Sequence, residues 1–313
     1  MNGPSQASLP EIDQPERPKG ASPWLCLTCG GAYGPSRISG LLRCRACGFM
    51  TADVRLGDGA LAALYGRDYF HGEEYHDYLA EEESLRANFA RRIVTLRQHV
   101  PNLAEAVLFE IGCAYGFFLE EVKDVVHQTS GIDISADAVR HAVELLGVNA
   151  ICGDYLRTDI GRRPDLIVMW DTIEHLARPD LFLAKAARDL RPGGYIAITT
   201  GDIGSPFARF RGGRWRMIHP PTHLHYFSAS TLRLVLERTG FEVVHLSHPG
   251  VTRNVLSSLY IIFALKMGTP ALFELVRRLR ILDFSVTLNL FDIMFVIART
   301  HGTNAPVPQS PCR

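Results

Sequence analysis

A chain of 313 residues has room for one large domain and a small one beside it, and is long enough to bury a full core. Its 33 Lys and Arg balance 33 Asp and Glu, so no cationic excess is left for a phosphate backbone, and we expect no nucleic-acid partner. With 47% apolar and 21% charged residues, no secretory leader and no run of 18 uncharged apolar residues, we expect a cytoplasmic protein with no membrane span, whose seven cysteines stay reduced.

Residues 1–23 are rich in Pro, Ser and charge and read as a disordered tail. Residues 24–55 hold Cys26-x-x-Cys29 and Cys44-x-x-Cys47, separated by 14 residues and each followed by glycine. One such turn brings two thiolates to an ion, and two complete a tetrahedral zinc site with no open position, so we expect a structural Zn2+ ribbon. Residues 56–106 follow as a helical lid or linker. In it Leu85, Phe89, Ile93, Leu96 and Val100 recur at three- and four-residue steps, the mark of one buried helical face, before Pro101 interrupts the chain.

From 107 to 300 short apolar runs alternate with helical stretches. They are VLFEI (107–111), SGIDI (130–134), VNAI (148–151), DLIVMW (165–170), GYIAITT (194–200), FEVVHL (241–246) and DIMFVIA (292–298). Runs this apolar suit strands covered on both faces, which predicts an α/β, doubly wound, Rossmann-like sheet of seven mostly parallel strands, the last two runs pairing as an antiparallel edge. After the first run, Gly112, Ala114 and Gly116 make a loop that lets a ligand approach the backbone where open α/β sheets bind. Phe117 falls where a dinucleotide fingerprint needs glycine, and Glu110 repels phosphate, so the loop suits a cationic ligand without phosphate. Asp133, 23 residues beyond Glu110, is placed to accept ribose hydroxyls, and Asp154 to meet an adenine edge.

Two segments at the same sheet edge carry candidate bases: WDTIEHL (170–176), with Asp171, Glu174 and His175, and RMIHPPTHLHYFS (216–228), with His219, His223 and His225. A single base titrating near neutrality is the economical reading of these histidines, ahead of a metal site. Residues 254–288 read as two helices broken at Gly268-Thr269-Pro270, the first apolar on most sides and the second amphipathic with a basic face. A lid, a dimer contact and a peripheral membrane contact reaching a lipid-linked substrate all fit this stretch. Residues 301–313 form a tail.

The segments FEIGCAYG, GIDIS, GDY, DLIVMWDTIEHL and LRPGGYIAITT resemble the class I S-adenosylmethionine-dependent methyltransferase domain over residues 107–245. The resemblance implies that Glu110, Gly112, Ala114, Gly116, Asp133, Asp154 and Asp171 hold S-adenosylmethionine. The cysteine ribbon together with EHL and THLHYFS resembles the zinc-containing sugar C-methyltransferases, and is similar to glycan, secondary-metabolite and ubiquinone-pathway O-methyltransferases. It implies a small-molecule or glycan acceptor, with His223 as base and His175 assisting. Two other readings remain at this stage: a nicotinamide-dependent sugar enzyme, and a zinc-ribbon binding protein with an inactive core.

Overall fold

The computed structural model describes residues 25–54, 79–260 and 284–301. A small sheet comes first, with strands β1 (Tyr33–Pro35), β2 (Leu41–Cys44) and β3 (Met50–Ala52). Helix α1 (Glu82–His99) follows and buries Phe89, Ile93 and Leu96, the face its periodicity marks.

The main sheet is built from β4 (Val107–Ile111), β5 (Gln128–Asp133), β6 (Ala150–Cys152), β7 (Leu166–Trp170), β8 (Tyr195–Gly201), β10 (Phe241–Ser247) and β13 (Ile293–Thr300). Its order is β10-β13-β8-β7-β4-β5-β6. Strands β4 to β8 pair in parallel, and β13 runs antiparallel to both β8 and β10. All seven apolar runs are therefore strands of one sheet, and the last two pair as the sequence predicts.

Alternate residues feed two cores, the period-2 consequence of the pleat. Leu108, Val168 and Ala197 pack with α1 and with α2 (Phe117–Val122). Phe109, Ile167, Met169 and Ile198 pack on the other face with α4 (Pro179–Asp189) and α6 (Ala229–Arg238). Between these, α3 (Ala136–Glu144) leads into β6 and α5 (Pro206–Arg211) follows β8. Every residue of β7 is buried, which is why its sequence is uniformly apolar rather than alternating.

Three local features go beyond the sequence reading. Ser285–Leu288, at the end of the stretch read as a helical insertion, is strand β12, hydrogen-bonded antiparallel to β11 (Val251–Asn254). Asn88 of α1 holds that hairpin by bonding both the amide and the carbonyl of Thr252, at 2.8 and 3.0 Å. A short helix, α7 (Val255–Tyr260), begins the 254–288 stretch, and residues 261–283 lie outside the described residues. His225–Tyr226, in the second candidate-base segment, is strand β9, which pairs with β3 as the fourth strand of the cysteine ribbon. Glu174 and His175 lie in a 3-10 turn, Ile173–His175, ahead of the helix that starts at Pro179.

The ribbon is joined to the main body through that fourth strand. Phe49 is fully buried, stacks on His225 and tilts against Phe227, while Cys26, Cys44 and Phe49 share a core with Ile111 and Ile198. The Thr51 hydroxyl donates to the Leu224 carbonyl at 2.9 Å, and its oxygen faces His225 Nδ1 at 3.1 Å. Burial pushes the His225 imidazole down to about 4 from its ordinary 6.5. Above pH 6.5 the ring is neutral folded and unfolded. As pH falls the unfolded chain takes the proton first, so up to about 3 kcal/mol of stability drains away between pH 6.5 and 4. Unfolding by denaturant across that window should show the loss, and His225→Phe should flatten it.

Candidate active site

Three loops meet at the carboxyl edge of β4, β5 and β6. After Ile111, Gly112 (φ 79°), Ala114 (φ 44°) and Gly116 (φ 83°) all adopt left-handed backbone, which turns the loop sharply into α2. The amides of Gly112 and Cys113 donate to the Ile132 carbonyl at 2.8 and 3.2 Å. The Asp133 carboxylate accepts from the Ala114 and Ser135 amides, both at 2.9 Å, and the Asp133 carbonyl accepts from Gly153 at 2.9 Å. Asp133 thus stitches the first loop to the second and the second to the third. Asp154 caps the 3-10 turn Tyr155–Arg157, accepting from the Leu156 amide at 2.9 Å.

Close packing against neighbouring side chains demands glycine at two of these positions. A Cβ on Gly112 would lie 2.7 Å from Thr172 Cγ2 and Oγ1, and one on Gly116 would lie 2.8 Å from Ala142 Cβ. Phe117 is buried at the start of α2 beside Tyr115 and His141, with the Arg86 guanidinium 5.0 Å from its ring.

Glu110 is 2% exposed, and its Oε2 has no hydrogen-bond partner among the described residues. Burial holds its carboxyl well above the usual range, against the pull of the Arg92 guanidinium. Arg92, from α1, lies 5.0 Å over the Trp170 ring and donates to Asp171 at 2.6 Å. Asp171 is itself left-handed, φ 50°, which is strained for a residue with a Cβ. Its burial favours the neutral acid, but Arg92 and the Thr199 hydroxyl outweigh it and hold the carboxyl below its ordinary value. Arg92 escapes sequence reading because it neighbours the buried Ile93 on an otherwise solvated helix, and only the tertiary contact shows where it reaches.

A second polar group follows on the same segment. Glu174 is 2% exposed, and the Thr200 hydroxyl and His223 are the groups that favour its charged form. Burial, opposed by His223, pushes it up to about 7. His175 Nδ1 donates to the Thr222 carbonyl at 2.9 Å, and His223 Nδ1 to the Met217 carbonyl at 2.8 Å, with the two rings 4.6 Å apart. The Leu224 amide closes the arrangement by donating to the Glu174 carbonyl at 2.9 Å. The structure therefore joins His175 to His223 and sends His225 into the ribbon. Thr172, against Gly112, links this cluster to the cofactor loop.

In the ribbon, one Sγ from each of Cys26, Cys29, Cys44 and Cys47 lies within 4.8 Å of the other three. Gly30 and Gly48 take φ 78° and 80°, ending both turns alike. Burial raises the thiols of Cys26 and Cys47. At Cys44 burial also opposes ionisation, but the amides of Cys47 and Ala46 prevail and bring it down to about 7. Four converging sulfurs with amides aimed at them fit a tetrahedral thiolate site.

Against known proteins, a model of the methyltransferase domain matches residues 82–246, more than half of the chain. The chain belongs to that family. It is 28% identical over 183 residues to a protein of Mycolicibacterium smegmatis named probable S-adenosylmethionine-dependent methyltransferase, covering 55% of this chain and 65% of that one. It is 33% identical over 103 residues to the ubiquinone biosynthesis O-methyltransferase of Nitrobacter winogradskyi, covering 31% of this chain and 40% of that one. The match thus spans less than two thirds of either relative's length. Among solved structures, the N-methyltransferase NodS of Bradyrhizobium japonicum with bound S-adenosyl-L-homocysteine aligns with a TM-score of 0.44 and 16% identity, over 68% of this chain and 87% of that one. The methyltransferase domain thus contains both polar clusters, since residues 110–223 fall inside the matched range. Among the described residues, no helix is long and apolar enough to cross a membrane.

Proposed function

We propose that this chain is an S-adenosylmethionine-dependent methyltransferase acting on a small-molecule acceptor, with a structural zinc ion in the four-cysteine ribbon. The observation that carries the reading is the buried, unpartnered Glu110 carboxylate behind a loop of Gly112, Ala114 and Gly116, with Phe117 where a dinucleotide fingerprint needs glycine. A cationic nucleoside satisfies that carboxylate, whereas a dinucleotide does not.

When bound, S-adenosylmethionine supplies a methyl group activated by its sulfonium. The protein's own residues do the rest. Asp133 has lone pairs beyond its two amide bonds for the ribose hydroxyls, and Asp154 stands at the third loop for the adenine edge. An amino-acid end carries one charge of each sign. Arg92 offers the cation for its carboxylate, and Glu110 and Asp171 offer anions for its ammonium. Holding donor and acceptor in line and excluding water provides most of the acceleration for a displacement of this kind. His223, tethered through Nδ1, presents Nε2 as the proton acceptor, and His175, tethered the same way, assists.

For the acceptor we infer a sugar or glycan, from the pairing of ribbon and histidine segment. Residues 254–288 would give access to a lipid-linked form, which co-sedimentation with anionic liposomes tests. Calorimetry tests the core reading: S-adenosylmethionine should bind and NAD should not. Arg92→Ala should weaken the former about tenfold through loss of a charged partner. Absence of S-adenosylmethionine binding would overturn the proposal and favour an inactive core.

A further inference from the structure

We propose that Asp202 and His248 form a carboxylate–imidazole dyad on the acceptor side of the cleft, with His248 Nδ1 placed to take the proton of a hydroxyl acceptor. Asp202 directly follows β8, and His248 directly follows β10. Both strands run antiparallel to β13, so they end at one edge of the sheet. Because β8 is parallel to β7 and β7 to β4, it is the edge that carries the candidate active site. His248 Nε2 lies 2.9 Å from Asp202 Oδ2, with the carboxylate side chain 6% exposed and the imidazole 25%. A carboxylate only accepts, so Nε2 carries the proton and the lone pair is on Nδ1. Among the described residues Nδ1 has no partner, and the ring reaches solvent.

Three segments hold the pair in place. Asp202 Oδ1 accepts from the Gly204 amide at 2.8 Å, and the Asp202 amide donates to the Asp292 carbonyl at 2.8 Å. Asn289 donates to the His248 carbonyl at 2.8 Å. Asp292 is itself buried and accepts from Trp215 Nε1 at 2.8 Å. A base fixed this way needs little ordering when a substrate arrives.

Position in the sheet decides what the dyad meets. The loops proposed to hold the cofactor follow β4, β5 and β6, and the order β10-β13-β8-β7-β4-β5-β6 puts β8 and β10 beyond β7 from them. In-line displacement needs the nucleophile opposite the departing sulfur, which is the β8 side. The end of β8 already reaches the cleft, since the Thr199 hydroxyl donates to Asp171 at 3.1 Å, and Asp202 is the third residue after it. The inference rests on the methyl-transfer reading and gives that reaction a base other than His223, acting on oxygen. A hydroxyl is too weakly acidic to ionise unaided near neutrality, and a carboxylate on the far nitrogen stabilises the imidazolium that forms. The O–H proton passes to Nδ1. Its electron pair forms the bond from oxygen to the methyl carbon, and the sulfur keeps the pair of the bond that breaks.

The test reads the imidazole itself and needs no acceptor. The zinc-loaded full chain is labelled with 15N-histidine, and His248 is assigned by its loss in His248→Gln. At neutral pH its Nε2 should be protonated and its Nδ1 bare. Asp202→Asn, which keeps an oxygen for the Gly204 amide, should remove that preference. The same protein is then treated with diethyl pyrocarbonate, and modified histidines are mapped by mass spectrometry. His248 should react, and saturating S-adenosylmethionine should slow it about tenfold by closing the cleft in front of it. A pair that only ties β8 to β10 predicts no such protection. His127, exposed at the amino end of β5, should react equally in both samples. A protonated Nδ1, an unreactive His248, or a rate indifferent to bound S-adenosylmethionine overturns the dyad as a base. Calorimetry on the same preparation separates the two readings: absence of S-adenosylmethionine binding overturns the methyl-transfer reading, and the base role with it.

Discussion

Gly112→Ala is expected to lower the affinity for S-adenosylmethionine about 100-fold. Two costs combine. At φ 79° an added Cβ meets its own carbonyl, at about 1–2 kcal/mol. It would also lie 2.7 Å from two atoms of Thr172, and overpacking of that kind costs about 1–3 kcal/mol. Relieving the clash displaces the loop, and with it the backbone proposed to hold the cofactor. A loss near 3 kcal/mol is the expected 100-fold. Thr172→Ala removes both clashing atoms, so the double variant should recover the steric part and retain the backbone part, a coupling that a double-mutant cycle reads directly. Gly161→Ala is the control: its φ is 69°, nothing lies within 4 Å of the added Cβ, and it sits near Val107 and Gln128 at the amino ends of β4 and β5, the sheet edge opposite the cofactor loop. It should lose stability alone, with binding untouched. Equal binding by Gly112→Ala and the parent would mean that the loop does not hold the cofactor.

The contrast between what the sequence reveals and what it hides follows the range of the interactions. The sheet is legible because strands buried on both faces must be apolar throughout, as in LIVMW, and the loop after β4 is legible because close approach demands small residues at fixed spacing. The cysteine pairs are legible because a metal imposes its own geometry on local sequence. Arg92 is not legible, since its partner Asp171 lies 79 positions away. The three histidines of 216–228 are equivalent as residue types. Only the pairing of His225 with Thr51 of β3, across 174 positions, separates the one that braces the ribbon from the one that faces Glu174. The β11–β12 hairpin was hidden because its second strand, SVTL, closes a long apolar stretch that reads as helix. Thr252, bonded to Asn88, supplies the tertiary contact that decides the matter.

The same long-range pairing gives the ribbon a task beyond its own stability, and removing its metal should separate methyl transfer from cofactor binding. The path is short. Cys44 and Phe49 flank the second turn, and the Cys44 amide donates to the Phe49 carbonyl at 2.7 Å. From Phe49, β3 runs on to Thr51 and Ala52, which hold the Leu224 carbonyl from two directions at 2.9 and 2.8 Å. Leu224 adjoins His223 and donates its own amide to Glu174. Without an ion, four clustered thiols must stay protonated or repel, and the turns lose the contact that folds them, because structural zinc supplies folding energy to sites of this size. The double variant Cys29→Ser/Cys47→Ser alters the two half-buried ligands and so spares the buried sulfurs that pack in the core. It should bind no zinc, keep S-adenosylmethionine affinity within a few-fold, since the loop of 112–116 and Asp133 belongs to other strands, and lose turnover by a factor of about 100 or more as the histidine segment drifts from Glu174. Metal content, calorimetry and turnover on one preparation check all three. Full turnover in a zinc-free protein would show that His223 holds its position without the ribbon. Parallel loss of cofactor binding would show instead that the ribbon supports the whole sheet through Phe49 and the shared core.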